Sequence, residues 1–168
     1  TGAPIHAEPN RVLATVMFCD VVDSTGEATR RGDQAWHSLL EAYYACVRDH
    51  SARFAGREIT TVGDGILVAF DRPSRGVRCA VEIRDAVRGL GLEVRCGLHS
   101  GECVMADHQL SGIAVHIGAR VASAAMPGEV WVSTTVRDLV AGSGLDFSER
   151  GHHALRGIAG QHALFAVA

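Results

Sequence analysis

The chain opens on a dense apolar run. From Arg11 to Val22 the residues Val12, Leu13, Val16, Met17, Phe18, Val21 and Val22 recur almost without polar interruption. A run that is apolar on both alternating sides predicts a strand buried on both faces. It breaks at Asp20-Val21-Val22-Asp23-Ser24-Thr25, where small polar residues and Gly26 turn the chain into a helix. Asp33 is expected to cap the next segment, in which Trp36, Leu39, Leu40, Tyr43, Tyr44 and Val47 recur at helical spacing. Arg57 to Phe70 predicts a hairpin turning at Gly63-Asp64-Gly65. Pro73 opens a second helix, at the one position where its missing N–H is harmless. Glu93 to Leu98 reads as a strand, followed across a turn at Ser100-Gly101 by Glu102 to Met105. Helix over 112–124, strand over 129–132, helix over 134–141 and closing short strands complete the pattern.

Strand, helix, strand, strand, helix, strand is the order of a ferredoxin-like, palm-like βαββαβ core. The expected fold class is therefore α+β, with a C-terminal α/β extension after that core. A right-handed crossover makes the first and second strands run in the same direction. The end of the first strand, with Asp20, should then lie at the same edge as the hairpin turn carrying Asp64. Residues 1–10 are polar, carry two prolines and read as a tail or linker; residues 11–168 read as one domain.

Composition narrows the function classes. Across 168 residues, 47% are apolar, enough for a core, and the formal net charge is −3. A general nucleic-acid binder would show a basic face, so none is expected as partner. No stretch approaches the roughly 20 apolar residues of a membrane span, and the five scattered cysteines suit free thiols in a reducing, cytoplasmic setting. Thr1, where an initiator Met would stand, is expected of a domain within a longer protein.

Asp20 and Asp64 are the candidate chemistry. Read alone, each could stabilise a turn or cap a helix. Brought together, two carboxylates would hold Mg²⁺ or Mn²⁺, hard cations that prefer oxygen ligands, against phosphate.

The segments around them resemble a known family. Val16-Met17-Phe18-Cys19-Asp20-Val21-Val22-Asp23-Ser24-Thr25 and Thr61-Val62-Gly63-Asp64-Gly65 look like the two metal-site motifs of class III adenylate and guanylate cyclases. Val94 to Gly101, Val115 to Val121 and Leu155-Arg156-Gly157 extend the similarity, in the family's order, to nearly the whole chain from residue 11. The style is nearest to bacterial, notably mycobacterial, class IIIc members. The resemblance implies two metal ions held by Asp20, Asp64 and the Val21 carbonyl. It implies phosphate cradled near Ser24 and Thr25, with Arg95 and Arg156 on the phosphates. His116 and Arg120 would act on the transition state.

Three positions depart from the common family pattern. His116 stands where asparagine is usual. Thr60 and Gln109 replace the residues that read adenine, a charged lysine and its partner, and Gln109 falls in an expected loop. The activity implied is conversion of ATP, or alternatively GTP, to a 3′,5′-cyclic nucleotide and pyrophosphate, adenylate cyclase being favoured. A degenerate nucleotide-binding or dimerising regulatory module is the other alternative. The family's site is shared between two protomers, and this chain carries both halves, which implies a homodimer with composite sites. The hairpin turn lacks the G-G-D/E-E-F pattern of diguanylate cyclases.

Overall fold

The computed structural model describes Gly2 and residues 10–168, so most of the expected tail over 1–10 lies outside the described residues. The elements are β1 (Arg11–Val21), α1 (Ser24–Arg31), α2 (Asp33–Arg53), β2 (Arg57–Val62), β3 (Gly65–Phe70), α3 (Pro73–Arg88), β4 (Val94–Ala106), β5 (Gln109–Ser111), α4 (Ile113–Ala124), β6 (Val130–Ser133), α5 (Thr134–Leu139), β7 (Phe147–Ala154) and β8 (Gln161–Val167).

One sheet of eight strands organises them, in the order β2-β3-β1-β4-β6-β8-β7, with β5 paired only to β4. The first four positions of that path are the ferredoxin-like core. β1 is antiparallel to both β3 and β4, and β3 is antiparallel to β2. Hence β1 and β2 point the same way with β3 between them, as the crossover argument requires. The C-terminal extension joins through β6, which pairs in parallel with β4.

Two features correct the sequence reading. Ser100-Gly101 is no turn: β4 runs unbroken for 13 residues, because it pairs continuously with β1 from Val21↔Val94 to Arg11↔Val104, straight through Ser100 and Gly101. A long partner strand overrides the local turn preference of Ser-Gly. Asp33 is not a cap but the first residue of α2; the capping position belongs to Gly32, whose φ of 86° breaks the helical run into α1 and α2.

The sheet separates the core into layers. On one face Met17, Cys19 and Val21 of β1 pack with Tyr43 and Val47 of α2 and with Val77, Cys79 and Ile83 of α3. On the other, Ala14 and Val16 pack with Ala114 of α4, and Val121 of α4 packs with Trp131 and Leu164. Alternate β1 residues thus serve opposite faces, as a pleated strand demands.

Two glycines let α4 sink onto this second face. A Cβ on Gly97 would sit 2.5 Å from Ala122 Cα, and one on Gly118 would sit 2.7 Å from Val16 Cγ2. The first obstacle is helix backbone, which has no rotamer to yield. Gly97→Ala is therefore expected to destabilise by about 3 kcal/mol, at the upper end of overpacking costs. A fall of roughly 6–12 °C in the thermal midpoint would register it; an unchanged midpoint would mean that α4 can lift off the sheet at little cost.

Candidate active site

β1 delivers Asp20 and Val21 to the sheet edge, and Asp23, held at φ 53°, reverses the chain into α1 at Ser24. A short side chain that bonds locally tolerates this left-handed conformation; the Asp23 carboxylate also accepts from Arg30 Nη1 at 3.3 Å. The β2–β3 turn, with Gly63 at φ 60°, brings Asp64 to the same edge. The two segments are joined directly: the Val21 N–H donates to Asp64 Oδ2 at 2.8 Å. Residues 43 apart in sequence are thus fixed together, as the strand order led us to expect.

Asp20 is electrostatically uncomfortable. Its Oδ1 is buried without a hydrogen-bond partner. Burial, and then the nearby Asp64 charge, push its pKa up to about 6, against the opposing pull of Arg95. Arg95 stands opposite Asp20 on β4 and is itself anchored, its Nε donating to Ala125 O at 3.0 Å. A desolvated carboxylate with a free oxygen, beside a second carboxylate with one oxygen committed, is a donor set short of a cation. Among the described residues no three His, Cys, Asp or Glu side chains converge on one point. The remaining ligands of a Mg²⁺ or Mn²⁺ here would be substrate oxygens and water, the usual habit of Mg²⁺.

This arrangement makes stability depend on pH. In the unfolded chain Asp20 loses its proton near 3.8, but in the fold only near 6. The metal-free fold therefore weakens as pH rises from about 4 to 6, and the deficit persists above. For a partly exposed carboxylate the effect, discounted for solvent screening, is about 1–2 kcal/mol. Asp20→Asn should accordingly raise the melting temperature in chelator at pH 8 by roughly 2–8 °C, and leave it unchanged at pH 4. Equal shifts at both pH values would refute the ionic origin.

A cleft of about 300 Å³ adjoins Asp64, lined by Ser24, Thr25, Ala28, Trp36, Leu40, Gly63 and Asp64 itself. Ser24 and Thr25 start α1, where unpaired N–H groups favour an anion. Trp36 and Leu40 form its apolar wall. Helical periodicity placed them on a core-facing stripe, and they do pack against the core while their remaining surface lines the cleft.

The other expected residues lie on separate elements. His116 and Arg120 are four residues apart on α4 and so share one helix face. His116 is exposed, and Arg120 donates from Nε to the Arg156 carbonyl at 3.1 Å. Among the described residues, neither bonds to Asp20 or Asp64. Thr60 lies exposed on β2, just past a register shift that begins at Glu58. Gln109 is not in a loop: it opens β5 after a two-residue turn at Asp107-His108, both at positive φ, and pairs with Ala106. That conformation is the hairpin turn expected between twisted antiparallel strands. β2 and β5 touch.

Comparison with known proteins places the chain in a family and confirms its fold. A family model described as the adenylate and guanylate cyclase catalytic domain matches residues 8–168. A Rhizobium meliloti (strain 1021) protein named "Putative adenylate cyclase 3" is 28% identical over 158 residues, covering 88% of this chain and 27% of that protein. The chain thus spans about a quarter of that relative; mycobacterial proteins match at similar identity. Among solved structures, the adenylyl cyclase CyaB from P. aeruginosa superposes with a TM-score of 0.87 at 22% identity, over 96% of each chain. The catalytic core of a rhodopsin-guanylyl cyclase with converted specificity, in complex with ATPαS, superposes at 0.88 and 19% identity, over 96% of this chain and 98% of that one. At such identity these likenesses fix the fold, and they include both adenylyl and guanylyl cyclases. The chain belongs to the adenylate and guanylate cyclase catalytic-domain family, the class III cyclases.

Proposed function

We propose that the chain is an adenylate cyclase, converting ATP to 3′,5′-cyclic AMP and pyrophosphate at sites shared by two copies. The observation that carries this reading is the Asp20–Asp64 pair, with one aspartate oxygen tied to Val21 and another buried and unpartnered. Asp20, Asp64 and the Val21 carbonyl would hold two Mg²⁺ or Mn²⁺ ions. Bound there, such ions neutralise triphosphate charge and acidify the ribose 3′-hydroxyl.

The chain's own groups have separable tasks. N–H groups at the start of α1, around Ser24 and Thr25, cradle the phosphates, and Arg95 adds fixed positive charge; Arg156, whose carbonyl holds Arg120, adds its charge from the second copy. The 3′-hydroxyl gives its proton to water or a substrate phosphate oxygen, its oxygen attacks the α-phosphorus, the bond from that phosphorus to the α,β-bridging oxygen breaks, and pyrophosphate leaves. Arg120, from the second copy, stabilises charge developing on the α-phosphate, and His116 orients the ribose. Thr60 and Gln109 face the base.

A homodimer is supported by the segregation of the site. The carboxylates and the α4 face bearing His116 and Arg120 do not engage each other within one chain. That face also exposes Ile113, 69% accessible, one turn before His116. An apolar residue beside polar functional ones suits a surface that a second copy covers.

Guanylate cyclase activity is the second reading, favoured by Thr60 and Gln109. Neither offers the charge-assisted bond of the family's usual adenine-reading pair, and Gln can donate to or accept from either purine. The test is incubation with Mn²⁺ and ATP or GTP, with identification of the product. Cyclic AMP as main product supports the proposal, and cyclic GMP reverses the base assignment. No cyclic nucleotide from a confirmed dimer would favour a regulatory module.

A further inference from the structure

Directly behind the catalytic edge, two thiols face each other. Cys19 on β1 and Cys96 on β4 are register partners, both buried, with their Sγ atoms 2.9 Å apart. The hydrogen bonds around them define the kind of pair they form. Val22 N–H donates to Glu93 O, and Cys96 N–H donates away from β1, to Glu129 O. Bonded and non-bonded pairs alternate along an antiparallel ladder, so Asp20–Arg95 is a bonded pair and Cys19–Cys96 a non-bonded one. In a non-bonded pair the Cα atoms lie about 4.5 Å apart, within the span a disulfide bridges.

The location gives this pair a consequence. Cys19 precedes Asp20, and Cys96 follows Arg95. Successive side chains point to opposite faces of the sheet. The thiols therefore lie on the face covered by α2 and α3, while the carboxylate and guanidinium, on the adjacent rung of the ladder, lie on the other face. Cys79 of α3 belongs to the same core cluster; Cys46 is half-buried on α2 and Cys103 lies on the opposite face.

We infer that Cys19 and Cys96 are a redox-sensitive pair that closes into a cross-strand disulfide under peroxide and thereby shifts Asp20 relative to Arg95. The chemistry balances in two steps. One sulfur attacks the peroxide O–O bond, becoming a sulfenic acid as water forms. The second sulfur displaces that hydroxyl as another water, leaving the S–S bond. Two thiols lose two electrons and two protons, and hydrogen peroxide becomes two waters. Burial makes the reaction slow, since oxidant reaches the thiols only when the packing around them opens. The effect on turnover rests on the cyclase reading above; the bond itself does not.

The test uses the full chain exposed to excess hydrogen peroxide. Remaining thiols are alkylated, and the protein is digested with trypsin without reduction. The expected product is a cross-link between the peptides of residues 12–30 and 96–120, present in Cys103→Ser and absent in Cys96→Ser and Cys19→Ala. On the same samples, cyclic nucleotide formation should fall several-fold and return with a thiol reductant. Oxidation or alkylation of Cys46 shows that reagent reached the protein, so no cross-link in that sample would overturn the inference. A bond to Cys79 instead would also overturn it, as would a complete cross-link with unchanged turnover. A cross-link in a protein that makes no cyclic nucleotide even when reduced would refute the cyclase reading alone and leave the thiol pair standing.

Discussion

Asp64→Asn is expected to lower Mn²⁺-dependent cyclase turnover by about a thousandfold while leaving the fold intact. The substitution separates two roles of one side chain. Asp64 Oδ2 accepts the Val21 N–H at 2.8 Å, and the amide oxygen of asparagine can accept the same bond. What it cannot supply is negative charge for a divalent cation. Losing one carboxylate from a two-carboxylate site forfeits several kcal/mol of transition-state stabilisation, and about 4 kcal/mol is roughly a thousandfold. The melting temperature without metal should hold or rise slightly, because the Asp64 charge is one of the causes that keep Asp20 hard to ionise. Asp64→Ala removes the acceptor too and leaves the Val21 N–H unpaired, at a cost of about 1–3 kcal/mol. It should therefore lose both activity and stability. Turnover with Mn²⁺ and ATP, beside thermal melts in chelator, reads both effects. Asp64→Asn activity within tenfold of the parent would remove Asp64 from the chemistry.

Arg120→Ala is expected to cost about a hundred- to a thousandfold in turnover with little change in KM. The reason is that its charge matters most where charge develops, in the transition state. Its Nε bond to the Arg156 carbonyl holds the guanidinium in one orientation beforehand. The more telling experiment mixes two dead proteins. If each site takes Asp20 and Asp64 from one copy and Arg120 from the other, an Asp64→Asn/Arg120→Ala heterodimer has one site with both defects and one with neither. Random exchange makes half the dimers mixed, so activity should recover to about a quarter of the parent's. No recovery, with exchange verified by differently tagged chains, would place both halves in one chain and refute the composite site.

Much of the site was readable because its signals are local. A buried-strand run ending in Asp20, a glycine-flanked turn at Asp64, and the alternation of strand and helix together brought the two carboxylates to one edge. Ser24 and Thr25 were readable as a helix start for the same reason. The errors share a cause. Ser100-Gly101 and the region of Gln109 have local turn character, and pairing partners decided otherwise: β1 holds β4 straight through the first, and the Asp107-His108 turn pairs Gln109 back onto β4. The cleft wall made by Trp36 and Leu40 was hidden because helical periodicity gives the apolar stripe without saying which neighbour it meets.

The sequence by itself determined that Asp20 and Asp64 meet, since a right-handed crossover and a hairpin leave the two loops one edge to occupy. Tertiary structure alone decided how they meet. Depth of burial, the neighbouring Asp64 charge and the rung shared with Arg95 set the acidity of Asp20. The same register sets Cys19 against Cys96. These are properties of distance and dielectric between segments far apart in the chain, which no local pattern encodes.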